Sequence, residues 1–149
     1  MSSLMDLYQE LAASAAQDSP HLRRPAAGAA TRQGDVYCHP IKSRPAAWSV
    51  ENAGNSRQVA TGQTVGSRHM AEGPVKIYWP EKATDAAAMC PVRMDKLDRS
   101  LIPEALGPVI VAEGPWTLTH PEHAHHAFPA GTYLVTYQID LRTLRRVVD

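Results

Sequence analysis

The part of the sequence best equipped for chemistry is a histidine-rich segment near the C-terminal end. Residues 118–126 read Leu-Thr-His-Pro-Glu-His-Ala-His-His and hold four of the seven histidines. Imidazole and carboxylate groups are the usual protein ligands of zinc, non-haem iron, copper and manganese. A turn forced by the proline would bring His120 and His123 together, and His69 offers a third ligand from elsewhere in the chain. The sequence therefore predicts a site for one transition metal ion, such as zinc, at His69, His120, Glu122 and His123.

The same segment has a simpler interpretation, which the sequence leaves open. Histidines in turns between strands are often solvated or structural, and the His-x-His-His spacing is not specific for a metal. The zinc-protease pattern HExxH does not occur in the chain. His123 and His125 have the spacing of a cupin-type pair, but no carboxylate follows them before Gly131. These absences argue against two known types of metalloenzyme and leave other metal sites open.

No nucleophile lies in a catalytic sequence context. The chain has neither a G-x-S-x-G elbow nor a glycine-rich phosphate loop. Cys38 and His39 are adjacent, and adjacent residues of a strand point to opposite faces of a sheet, which rules out a simple dyad. The sequence therefore favours a non-enzymatic role, although it does not decide whether the protein is an enzyme.

Three arginines near the C-terminus offer contacts for RNA or for an acidic partner: Arg142, Arg145 and Arg146. They fall in a predicted short helix over residues 141–148, where a solvated helix face is the simpler explanation. Over the whole chain, 15 basic and 15 acidic residues balance. This balance argues against non-specific binding of nucleic acid, so RNA contact through the three arginines is an alternative hypothesis.

Short extended segments separated by glycine and proline dominate the sequence from Gly34 onward. The interval 82–106 differs, because residues 86–89 predict one or two helical turns that Pro91 and Pro103 interrupt. The pattern predicts a mainly β fold, either a small antiparallel barrel or a sandwich. The predicted strands cover residues 35–39, 47–50, 58–61, 75–79, 109–111, 116–119 and 132–138.

The first 33 residues are predicted to lie outside this folded domain. Residues 4–16 have the apolar spacing of a short amphipathic helix with Leu4, Leu7, Tyr8 and Leu11 on one face. Because so short a helix is not stable alone, this face is expected to dock on the β-rich domain, on a second copy of the chain or on a protein partner. Residues 17–33 predict a flexible linker. The expected organisation is a helix with a flexible arm over residues 1–33 and a β-rich domain over residues 34–149.

Cysteine usage and hydropathy predict a cytoplasmic protein. Cys38 and Cys90 match no metal-ligand spacing, and the N-terminus lacks the basic start and apolar run of a signal peptide. No stretch approaches the roughly 20 apolar residues that span a bilayer. We therefore expect a reduced, intracellular protein with no membrane partner.

Most of the chain from Gly34 onward resembles a family of small, uncharacterised bacterial and phage-associated proteins. The matching features are a Gly-Asp-Val strand, a middle Gly-x-x-His, and a C-terminal pattern Leu-Thr-His-x-Glu-His followed by Pro-x-Gly-x-Tyr-x-Val, at residues 34–36, 66–69, 118–123 and 129–135. Many members carry a His-x-His pair in the middle motif, where this chain has Ser67 and keeps only His69. The resemblance implies no activity, but it directs attention to His69, His120, Glu122 and His123.

The sequence thus favours a small intracellular β-domain that acts as a binding or accessory module for a protein or nucleic-acid partner. A metal-binding protein or metal-dependent enzyme at the histidines is the first alternative. RNA binding through the C-terminal arginines is the second. The identity of any partner, substrate or metal, and the oligomeric state, do not follow from the sequence.

Overall fold

A computed structural model describes residues 22–26, 28–52, 57–60, 68–94, 97–140, 142–143 and 145–147. The predicted N-terminal helix, with Leu4, Leu7, Tyr8 and Leu11, lies outside these residues. The described residues form a mainly β structure, which confirms the predicted class. Within them, no helix has the length and apolar character needed to cross a membrane.

The described residues form thirteen strands, most of which belong to two sheets. The strands are β1 Leu22–Arg23, β2 Thr31–Gln33, β3 Val36–Ile41, β4 Val50–Glu51, β5 Gln58–Ala60, β6 His69–Glu72, β7 Val75–Trp79, β8 Leu106–Ala112, β9 Trp116–Thr119, β10 His125–Phe128, β11 Gly131–Tyr137, β12 Ile139–Asp140 and β13 Arg145–Arg146. The five-stranded sheet has the order β1-β10-β9-β6-β5, and the six-stranded sheet has the order β2-β3-β11-β8-β7-β4. β12 and β13 form a separate hairpin.

The two larger sheets share one apolar core. Alternate residues of their strands supply it, because successive side chains of a strand point to opposite faces. Its buried members include Val59, Ala71, Trp116, Leu118 and Phe128 from the five-stranded sheet, and Val36, Cys38, Ile77, Ile110, Tyr133, Val135 and Tyr137 from the six-stranded sheet. Among the described residues, neither sheet closes into a barrel, and two sheets over a common core resemble a β-sandwich.

The interval 82–106 covers the outer face of the six-stranded sheet. It contains α1 Ala83–Ala88, a 3₁₀ turn at Arg99–Leu101 and α2 Ile102–Ala105. A second apolar cluster forms beneath it, with Trp48, Ala86, Leu106, Val109 and Leu134 all buried. The indole N–H of Trp48 donates to the carbonyl of Gly107 at 2.9 Å, so its polar atom is satisfied inside the cluster. The interval 82–106, which the sequence distinguishes from the strands around it, therefore covers one of the sheets.

Several segments of the chain fold differently from their prediction, among them residues 47–50, where only Val50 lies in a strand. Residues 22–33, expected within a linker, contribute β1, which pairs with β10, and β2, which pairs with β3. The helix predicted over residues 141–148 is wrong, because Arg145–Arg146 pairs as a strand with Ile139–Asp140. The carboxylate of Asp140 accepts the backbone N–H of Arg142 at 2.8 Å and stabilises a turn where the helix was expected.

Candidate functional site

The candidate site lies at one end of the space between the two sheets. Gln33 ends β2, and Asp35 lies in the two-residue turn that leads into β3. Gly34, the first residue of that turn, has a φ of 60°, which glycine adopts without the strain that a side chain would add. The turn therefore carries Asp35 to the edge of the inter-sheet space.

His69 and His120 reach the same place from the five-stranded sheet. In the pairing of β6 with β9, Met70 lies opposite Thr119, so His69 and His120 are neighbours across the two strands. Both side chains face inward, and only 1% and 2% of their surfaces remain exposed. At this end of the core, polar side chains replace apolar ones.

The side chain of His69 is held by hydrogen bonds at both ring nitrogens. Nε2 lies 3.0 Å from Asp35 Oδ1, and Nδ1 lies 2.9 Å from Gln33 Oε1. The amide nitrogen of Gln33 donates to the carbonyls of Leu118 and Ala124, each at 2.9 Å. Because only the nitrogen end of an amide can donate, these two carbonyls fix the oxygen end toward His69. His69 therefore donates through Nδ1.

Asp35 is the acidic partner of the buried His69 ring. With Nδ1 already a donor, the short Nε2–Oδ1 contact needs one further proton between the two groups. Burial raises the pKa of Asp35, but the hydrogen bond and charge of His69, with smaller effects of a backbone N–H and Arg146, leave this pKa below its ordinary value. Asp35 therefore accepts the hydrogen bond from His69 as a carboxylate.

His123 joins the two buried histidines from the turn between β9 and β10. The ring centroids of His69 and His120 are 4.4 Å apart, those of His120 and His123 are 4.5 Å apart, and those of His69 and His123 are 6.4 Å apart. His120 Nδ1 accepts the backbone N–H of Glu122 at 3.0 Å. In a neutral ring this bond assigns the proton of His120 to Nε2.

The structure thus brings together three of the four residues predicted for the site. Glu122 differs, because its contact with the cluster is made by its backbone N–H and its side chain is exposed. Within the described part of the chain, no three histidine, cysteine or carboxylate side chains are arranged to hold one metal ion. Whether His69, His120, Glu122 and His123 bind a metal stays a prediction.

Sequence reasoning missed the two residues that hold His69. Gly34-Asp35-Val36 was recognised only as the start of a strand, although an aspartate in a tight turn next to a strand end is well placed to reach a neighbouring sheet. Gln33 gave no local signal, because it lies in a segment with linker composition and its three partners are far away in sequence. Its burial follows from tertiary contacts alone.

The two histidines after the cluster have opposite environments. His125 is exposed, whereas His126 is buried and its Nδ1 lies 3.4 Å from the hydroxyl oxygen of Thr31. Burial, and then the nearby charges of Arg23 and other histidines, lower the pKa of His126 to about 4. His126 is therefore neutral at physiological pH.

The three C-terminal arginines have different contacts. Arg142 lies in the turn of the β12–β13 hairpin with its Nε 3.6 Å from Asp140 Oδ1, and Arg145 is exposed on β13. The guanidinium carbon of Arg146 lies 3.8 Å from the ring centroid of Tyr137, a cation–π contact. Their predicted role in binding RNA or a partner stays a prediction.

Comparison with known proteins gives a family but no activity. A family model described as "Domain of unknown function (DUF8820)" matches residues 32–138. No curated protein and no solved structure matches the chain. The matched region includes Gln33, Asp35 and the three clustered histidines, and it covers well over half of the chain, so the chain belongs to the DUF8820 family.

Proposed function

We propose that this domain is a non-catalytic binding or accessory module for a protein or nucleic-acid partner, and that its histidine cluster is a structural support. The observation that carries the proposal is the bonding of the two buried rings. Both nitrogens of His69 and Nδ1 of His120 are engaged with Asp35, Gln33 and the backbone of Glu122. In this arrangement His69 offers no lone pair to a metal or a substrate proton.

The bonding pattern also supplies a structural role for the cluster. Asp35 belongs to the turn between β2 and β3, and Gln33 ends β2, whereas His69 belongs to the opposite sheet. Gln33 additionally holds the carbonyl of Leu118 on β9 and that of Ala124 in the following turn. The network therefore ties the two sheets together where apolar packing ends. A buried polar network of this kind stabilises a fold only when its members are bonded.

Metal binding is the second candidate, and the convergence of His69, His120 and His123 favours it. Three imidazoles that share a zinc ion at a Zn–N distance of about 2 Å have ring centroids about 5 Å apart. Two of the three observed centroid distances, 4.4 and 4.5 Å, are close to this value, and the third, 6.4 Å, is longer. Asp35 beside His69 matches the carboxylate that often orients a metal-bound histidine.

Metal binding would require specific rearrangements of this network. His69 Nδ1 would have to exchange Gln33 Oε1 for the metal, and His120 would have to release the N–H of Glu122 or bind with its ring turned over. His123 would have to move toward His69 by about 1 Å. Three protein ligands would leave a fourth position for water, as in catalytic zinc sites.

Elemental analysis of the untagged, gel-filtered protein distinguishes the two candidates. The structural proposal expects no stoichiometric transition metal, before or after incubation with zinc, and a melting temperature that a chelator does not change. His123→Ala removes the half-buried member of the cluster with least damage to the fold, and His125→Ala is the matched control. One equivalent of metal that His125→Ala retains and His123→Ala loses would replace the structural proposal with the metal site.

A further inference from the structure

We propose that the interval 82–106 holds a binding site for an aliphatic carboxylate, with the hydrocarbon chain in an apolar cavity and the carboxylate paired with Arg99. This inference goes beyond the proposed binding of a protein or nucleic-acid partner, because it assigns a small-molecule ligand to the outer face of the six-stranded sheet. The site is separate from the histidine cluster, which lies between the two sheets and thus on the other side of the six-stranded sheet.

The cavity is bounded by α1, the segment that follows it, the 3₁₀ turn and the start of α2. Its volume is about 490 Å³, within the range of about 300–1,000 Å³ that is usual for small-molecule sites. The described residues that line it are Ala87, Ala88, Cys90, Val92, Met94, Arg99 and Ile102. All but Ala88 and Arg99 are partly buried and pack against the apolar cluster around Trp48. The cavity therefore extends the apolar interior of the cover toward the surface.

The uncharged side chains of the lining suit a hydrocarbon chain and no polar ligand. The only polar group among them is the thiol of Cys90, which already donates to the carbonyl of Val92 with the sulfur 3.4 Å from the oxygen. Burial raises the pKa of this thiol, so it stays protonated at neutral pH. Sugars and nucleotides need several placed donors and acceptors, because a polar group that is buried without a partner costs binding free energy.

Arg99 supplies the one charge of the site. It is the only charged side chain among the described residues that line the cavity. Its side chain is exposed and forms no hydrogen bond or ion pair within the described part of the chain. The adjacent carboxylate of Asp98 is engaged by Ser100, whose backbone N–H and hydroxyl donate to it at 2.9 and 2.7 Å. The guanidinium can therefore hold a carboxylate through two parallel N–H donors.

A straight-chain carboxylate combines the two features that the site requires. One guanidinium balances the single charge of a carboxylate, whereas a phosphate monoester has a charge of about −2 at neutral pH. The chain would lie against Val92, Met94 and Ile102, and methionine adapts its shape to irregular ligands. Each methylene group that enters the cavity should strengthen binding about fourfold.

Titration of the full chain with octanoate, followed by amide NMR, tests the proposal. Octanol is the matched neutral ligand, and hexanoate is the shorter acid. We expect saturable shifts at Ala87, Cys90 and Met94, with octanoate bound about threefold more tightly than octanol. Hexanoate should bind about tenfold more weakly than octanoate, because it buries two fewer methylene groups.

Two substitutions assign the interaction to the cavity. Arg99→Gln should lower the affinity for octanoate to that for octanol, whereas Arg145→Gln, at an exposed position on β13, should retain the preference. Ala88→Leu should fill the cavity and weaken both ligands. Its control is Ala83→Leu, at the other end of α1 and also exposed. Leucine is a good helix former, so both variants should keep the fold.

Three results would overturn the proposal. These are the absence of saturable shifts with octanoate, equal affinities for octanoate and octanol, and equal binding by the unmodified chain and Ala88→Leu. His123→Ala should bind octanoate as the unmodified chain does, so this test is independent of the role of the histidine cluster.

Discussion

The side chain of His69 has a hydrogen-bond partner at each of its two ring nitrogens. Its two nitrogens face an acidic group and an amide oxygen, and the amide is itself oriented by two backbone carbonyls. One oxygen of Asp35, Oδ2, is buried with no hydrogen-bond partner among the described residues. The contact with His69 is therefore the main compensation for burying the Asp35 carboxylate, which makes its loss costly.

Asp35→Asn should destabilise the folded state by about 2 kcal/mol, because it removes the carboxylate that is bonded to the buried ring of His69. Urea unfolding at neutral pH measures the change as a lower midpoint with an unaltered slope. Glu113→Gln is the control, since Glu113 is exposed and its loss should change the unfolding free energy by less than about 0.5 kcal/mol. Equal midpoints for the two variants would show that the pair contributes nothing to stability.

At the scale of elements, the sequence pattern alone predicts the strands in which apolar and polar residues alternate. The strands predicted over residues 75–79 and 116–119 have the bounds of β7 and β9, and residues 109–111 lie inside β8. The sequence pattern does not predict β1, β2 and β13. These strands are only two or three residues long, too short to show an alternating pattern, and they form because they pair with other strands. The histidines of the site can be predicted because histidine is a common metal ligand and several occur close together. Gln33 and Asp35 belong to no such motif in the sequence.

The boundary of the folded domain can be tested with two truncated chains. A chain of residues 22–149 keeps β1 and β2 and should retain the melting temperature of the full chain. If residues 4–16 form a partner-binding helix, this chain should also lose any self-association that sedimentation velocity detects in the full chain. Association that survives the truncation would show that the helix is not the tether.

A chain of residues 34–149 should be much less stable than the longer truncation. It loses the pairing of β2 with β3, and Leu118, Ala124 and His69 each lose the hydrogen bond that Gln33 makes to them. Each buried group left without a partner costs about 1–3 kcal/mol, so the melting temperature should fall by about 10 °C. Similar melting temperatures for the two chains would place residues 22–33 outside the cooperative unit.

At the scale of the whole molecule, histidines that are buried as neutral rings make stability depend on pH. The pKa of His126 is lowered to about 4 and that of His39 is also lowered, in both cases chiefly by burial. In the unfolded chain a histidine has its ordinary pKa of about 6.5. Between these values the unfolded chain binds more protons than the folded chain, so acidification favours unfolding.

The contribution of these two histidines to the free energy of unfolding should therefore be constant above about pH 6.5 and should fall as the pH drops toward 4. His126 alone should account for about 2 kcal/mol of this loss after allowance for solvent screening. Asp35, whose pKa is lowered, adds a further loss only at lower pH, where its carboxylate takes up a proton. Urea midpoints measured from pH 7.5 to 4.5 report the loss of stability that is due to the histidines.

His126→Gln identifies the residue responsible, because glutamine can still bond the hydroxyl of Thr31 but does not titrate. Its urea midpoint should fall less steeply with acidification than that of the unmodified chain, whereas His125→Gln, at an exposed position, should leave the slope unchanged. Parallel curves for the unmodified chain and His126→Gln would mean that the buried ring takes up its proton without unfolding the sheet around it. The acid sensitivity would then have to arise from His39 or from the Asp35–His69 pair.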